Sequence, residues 1–137
     1  MLPAIEELIP HRAPLRFVNA LTSCEEKRAA ATMRFAENDF AVQSGKVIET
    51  ALVECIAQTV AAALGLHARS GVGKSGASAN GMLVAVSNFK TLAPASIERT
   101  LLIEIHETRR LGPMVMVHGK ISCDGKIVAT GDLSLYA

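Results

Sequence analysis

The chain has 137 residues, half of them hydrophobic, with no Trp and a formal net charge of +1. That length suits one domain spanning residues 1–137, and the scarcity of aromatic side chains requires an aliphatic core. The near-neutral balance argues against nucleic acid as a partner, which needs a basic stripe. Cys24, Cys55 and Cys123 match no zinc-ligand spacing and read as reduced thiols of a cytoplasmic protein.

Met1–Pro10 has no basic start, no long apolar block and no small-residue cleavage site, so it does not read as a signal peptide. Ile5–Ile9, between Pro3 and Pro10, predicts a short helix with Ile5, Leu8 and Ile9 on one face. Two prolines keep Pro10–His11–Arg12–Ala13–Pro14 out of regular helix. Leu15–Leu21 predicts a strand, and Arg28–Phe35 its hairpin partner across Ser23–Lys27, with Ala29, Ala31, Met33 and Phe35 on one face. Asn38–Gly45 reads as a loop.

Val47–Leu66 is a long apolar run of helical character whose only charges are Glu49 and Glu54. By length it could span a membrane, but its two acids, Gln58 and many Ala point to a buried helix of a soluble protein, with no membrane partner. Glu49 suits the first turn, where the helix dipole favours an anion, and His67 and Arg69 suit the last. Glu54 falls well inside. On one reading it sits in a low-dielectric setting that raises a carboxylate's pKa and lets it trade protons near neutral pH. On the other it faces solvent from an amphipathic helix.

Ser70–Gly81, rich in Gly, Ser and Ala, reads as a flexible loop. Within and before it, Gly71–Val72–Gly73–Lys74–Ser75 is similar to a phosphate-binding loop, but Ala68 stands where that motif requires glycine, and no strand precedes it. Nucleotide triphosphate binding is rejected. Four strand-like runs follow, Met82–Phe89, Thr100–Thr108, Met114–Ser122 and Ile127–Tyr136, with breaks at Gly112–Pro113 and Asp124–Gly125. One long buried helix and about six antiparallel strands make an α+β fold in which a curved sheet wraps the helix. The sheet's edges are then managed by dimerisation.

Four segments in order resemble the β-hydroxyacyl-ACP dehydratases of the hotdog fold. They are Pro10–Asn19, with its Pro-His-Arg opening; Leu52–Gln58, an apolar pair followed by Glu-x-x-Ala-Gln; Asn88–Pro94; and the hairpin Asp124–Ala129. The chain departs from that family at Asn38–Gly45, where the family carries a catalytic histidine in a Gly-His-Phe-Pro segment. It is more similar to a divergent branch of predicted dehydratases, associated with aryl-polyene-type fatty acid or polyketide pathways, that lacks this histidine. The resemblance implies a hotdog fold and a 3-hydroxyacyl thioester substrate. That substrate would be carried on the phosphopantetheine of an acyl carrier protein or of CoA, with no metal or redox cofactor.

Dehydration needs a base for the C2 proton, an acid for the departing hydroxyl and a donor for the thioester oxygen. Glu54 matches the family's acid position. Gln58, one helical turn on, is placed to orient Glu54, to touch substrate, or simply to satisfy neighbouring backbone. His11 is the candidate for the missing base, although in the resembled enzymes its counterpart ties down the N-terminal segment. His67 reads as a helix-end cap, and His106 and His118 as strand residues without a role. Two alternatives stay open: a thioesterase driven by a lone carboxylate, and a non-catalytic subunit that completes a heterodimer with another hotdog chain. Arg69, Lys74, Lys90, Arg99, Arg109 and Arg110 are available to a phosphate or an acidic carrier protein.

Overall fold

The computed structural model describes residues 2–69 and 82–136. The expected loop over Ser70–Gly81 lies outside them. Helix α1 (Ile5–Leu8) opens the chain, followed by strands β1 (Ala20–Cys24), β2 (Arg28–Arg34), β3 (Val42–Gln43) and β4 (Lys46–Val47). The long helix α2 (Glu49–Arg69) comes next, and then β5 (Met82–Thr91), β6 (Thr100–Leu111), β7 (Met114–Cys123) and β8 (Lys126–Tyr136). Six strands form one antiparallel sheet in the order β1-β2-β6-β7-β8-β5, while β3 and β4 form a separate small ribbon.

Strict alternation in the central strands makes this sheet one-sided. In β7, Val115, Val117, Gly119, Ile121 and Cys123 are buried and the residues between them are not. The buried set faces α2, whose Leu52, Cys55, Ile56, Thr59 and Val60 complete an aliphatic core. Ile56 sits so close to Gly119 that a Cβ there would lie 2.5 Å from Ile56 Cγ2. α2 is long and apolar enough to cross a membrane, yet 67% of its apolar window is buried inside the protein. A sheet wrapped around one helix in this way is the hotdog arrangement.

α1 lies across the outer side of α2. Gly65 permits the approach, because a Cβ at that position would meet Leu8 O at 2.4 Å. Ion pairs Arg16–Glu6 (2.7 Å) and Arg69–Glu7 (3.3 Å) hold α1 in place.

The first strand is not where alternation puts it. Leu15–Asn19 lies outside any strand, and β1 begins only at Ala20. The cause is Gln58, which takes the Phe17 and Val18 amides and the Leu15 carbonyl, so these groups are not available to a sheet ladder. Asn38–Gly45 also differs from a plain loop, since Ser44 (φ 52°) and Gly45 (φ 75°) form the tight turn of the β3–β4 ribbon.

At the β5 edge, Leu83 and Val86 pair with the inward-facing Leu135 and Leu133 but remain exposed, as does Val84 at a bulge. Among the described residues this edge strand therefore presents apolar side chains and unpaired backbone.

Candidate active site

The Pro-His-Arg segment and α2 meet at Glu54. His11 Nε2 lies 3.4 Å from Glu54 Oε1, and the two side chains keep 32% and 37% of their surface exposed. Glu54 is thus half-buried at the protein surface, not enclosed in the low-dielectric interior that its apolar neighbours suggest. Helix phase explains this: Leu52, Cys55, Ile56 and Thr59 take the sheet side and leave Glu54 on the α1 side, beside His11. The Nδ1 atom of His11 is buried and has no hydrogen-bond partner among the described residues. Nε2 makes the polar contact to Glu54.

Gln58 is wholly buried and every bonding position of its amide is taken. Oε1 accepts from Phe17 N (2.9 Å) and Val18 N (3.2 Å), while Nε2 donates to Leu15 O (2.8 Å) and Glu54 Oε1 (3.3 Å). A side chain so placed has nothing left for substrate. The substrate-contact expectation for Gln58 is corrected to an orienting one: it fixes Glu54 and docks the segment that carries His11.

Among the described residues the remaining sequence candidates are not brought to this site, and Lys74 lies outside them. His67 Nε2 lies 3.1 Å from Glu25 O and 3.5 Å from Cys24 Sγ, tying the end of α2 to the β1–β2 turn. Burial pushes the Cys24 thiol up, away from a reactive thiolate. Arg69, Arg99 and Arg110 are paired with Glu7, Asp124 and Glu107. His106 and His118 stand together on the outer sheet face, ring centroids 5.4 Å apart, with Asp132 2.8 Å from His118 Nδ1 and 3.1 Å from Asn88 Nδ2. The bonds from His118 and Asn88 hold Asp132 below the usual carboxylate range. Sequence reading missed this row, because cross-strand register, not spacing along the chain, assembles it. No group of three or more His, Cys, Asp or Glu able to hold a metal occurs among the described residues.

A hotdog domain whose central-helix carboxylate is met by a histidine of the N-terminal segment is equipped for acid–base work. The model of the ApeP-like family, described as ApeP dehydratase, matches residues 3–137, and the chain belongs to that dehydratase family. A search of curated proteins finds no match. Among solved structures, the dehydratase heterocomplex ApeI:P from Xenorhabdus doucetiae superposes with a TM-score of 0.87 at 20% identity, covering 99% of this chain and 91% of that one. A hypothetical thioesterase from Streptococcus pneumoniae TIGR4, with coenzyme A, gives 0.68 at 12% identity and coverage of 85% and 83%. The Escherichia coli PaaI protein of the phenylacetic acid degradation operon gives 0.66 at 14%, with coverage of 85% and 81%. These likenesses establish the shared fold.

Proposed function

We propose that this chain dehydrates 3-hydroxyacyl thioesters, carried on acyl carrier protein or CoA, in an aryl-polyene-type fatty acid or polyketide pathway of the cytoplasm. His11 and Glu54 share the proton transfers. The observation that carries the reading is the 3.4 Å approach of His11 Nε2 to Glu54 Oε1, which supplies a second titratable group where the familiar Gly-His-Phe-Pro histidine is absent. One member of the His11–Glu54 pair takes the C2 proton and the other gives a proton to the C3 hydroxyl. The C2–H and C3–O bonds break, the C2=C3 bond forms and water leaves. The proton taken from C2 then passes across the 3.4 Å contact and restores the pair to its starting state. The reaction calls for no cofactor beyond the substrate's own phosphopantetheine.

The chain acts as a dimer. The exposed Leu83, Val84 and Val86 of edge strand β5 support pairing with a second hotdog subunit, either another copy or a different chain. The heteromeric assembly of ApeI:P favours a different chain.

The test is incubation of the full chain, alone and with a partner hotdog subunit, with 3-hydroxyacyl-carrier protein, followed by mass analysis. Loss of one water, abolished in Glu54→Gln and reduced about a hundredfold or more in His11→Asn, is expected. Release of free acid instead assigns a thioesterase. Full turnover in Glu54→Gln overturns the reading.

A further inference from the structure

His11 lies on a segment with no helix or strand to hold it. The segment leaves α1 at Leu8 and does not join the sheet until Ala20, so something else must set the histidine's place against Glu54. The side chain of Arg12 does this work. Nη1 donates to Ile9 O (2.9 Å) and His11 O (2.8 Å), and Nη2 donates to Glu6 O (3.0 Å). One planar fork thus gathers three carbonyls, two of them left open where α1 ends and the third belonging to His11 itself. The Arg12 carbonyl in turn accepts from Leu15 N (2.9 Å) and Arg16 N (3.1 Å). Leu15 O then passes the connection to Gln58 Nε2, and Gln58 reaches Glu54. With the His11–Glu54 contact added, the bonds close into a ring: His11, Arg12, Leu15, Gln58, Glu54 and back to His11.

We infer that Arg12 is a positioning residue of the reaction: its guanidinium fixes the backbone at His11 so that the imidazole meets Glu54. The inference rests on the reading of His11 and Glu54 as the acid–base pair. Lysine cannot substitute, since a single ammonium on a flexible stem does not hold three carbonyls in one plane. A binding role for the Arg12 charge, toward a substrate phosphate, makes a different prediction: it raises KM and leaves kcat alone.

Two measurements on the full chain decide the matter, using Arg12→Gln and Arg12→Lys. In steady-state dehydration of a 3-hydroxyacyl thioester, both variants lose about ten- to a hundredfold in kcat with KM little changed. In the His11→Asn background Arg12→Gln costs nothing further, because the residue acts through His11. A rise in KM alone, full activity in Arg12→Lys, or an equal loss in the His11→Asn background overturns the inference. The second measurement needs no turnover: diethyl pyrocarbonate labelling followed by peptide mass mapping. His11 becomes severalfold more reactive in Arg12→Gln than in the wild type, while His118 on the far sheet face keeps its rate. Unchanged His11 labelling overturns the positioning role. If the wild type does not dehydrate the substrate, the proposed reaction fails, and the labelling still decides whether Arg12 holds His11.

Discussion

Replacing Gln58 with Leu conserves volume in a fully buried position, so the change isolates the loss of hydrogen bonds from any cavity effect. Four bonds disappear, but they do not cost the same. Leu15 and Glu54 are solvent-accessible, and their oxygens can turn to water. Phe17 and Val18 are buried, and their two amides lose the acceptor that Gln58 Oε1 provides. An unsatisfied buried donor costs about 1–3 kcal/mol, which puts the total for the two at about 2–6 kcal/mol. For a domain of this size that corresponds to a fall in Tm of roughly 10 °C. Urea denaturation followed by circular dichroism measures the stability loss as a lower midpoint at constant slope. Hydrogen exchange locates it: the Phe17 and Val18 amides exchange much faster, while Ile103 and Ile121 in the central strands change only by the global amount. Unaltered protection at Phe17 and Val18 would refute the account of how the His11 segment is docked. Activity falls as well, because Glu54 loses its orienting donor.

Three further outcomes follow from the same geometry. Gly65→Ala drives a methyl group to 2.4 Å from Leu8 O, so α1 must move; a loss of about 1–3 kcal/mol in chemical denaturation is expected, with faster proteolysis near α1. Gly119→Ala forces Ile56 from its rotamer in the centre of the core and destabilises by about the same amount, whereas Gly112→Ala meets no neighbour and bears only the strain of its positive φ. The third concerns pH. His106 is held below its ordinary value of 6.5 by burial, then by the charges of His118 and Arg28, with Asp132 opposing. In that case the unfolded chain binds the proton more readily than the folded one, so the stability tied to this group is complete above about pH 6.5 and is lost as pH falls below it. Tm measured at pH 7.5 and 5.5 drops less in His106→Gln than in the wild type; equal drops contradict the assignment.

Much of the fold was legible because it rests on local periodicity. The apolar run from Val47 to Leu66 required a buried helix, and the alternation in Arg28–Phe35 and Met114–Ser122 required one-sided strands, as found in α2, β2 and β7. Alternation failed at Leu15–Asn19 because it reads only which side chains are apolar. It cannot tell whether backbone donors go to a neighbouring strand or, as here, to a glutamine 41 residues away at Phe17. Glu54 stood out as the one acid inside an apolar helix, a one-dimensional signal. Its actual environment was a tertiary matter: helix phase turned it toward the N-terminal segment, and a ring of bonds through Arg12 and Gln58 brought His11 against it. The amino-acid order alone thus determined a helix-in-sheet architecture and one conspicuous carboxylate. Only folding decided the carboxylate's partner, because proximity between residues 11 and 54 arises from packing α1 over Gly65, not from any local preference.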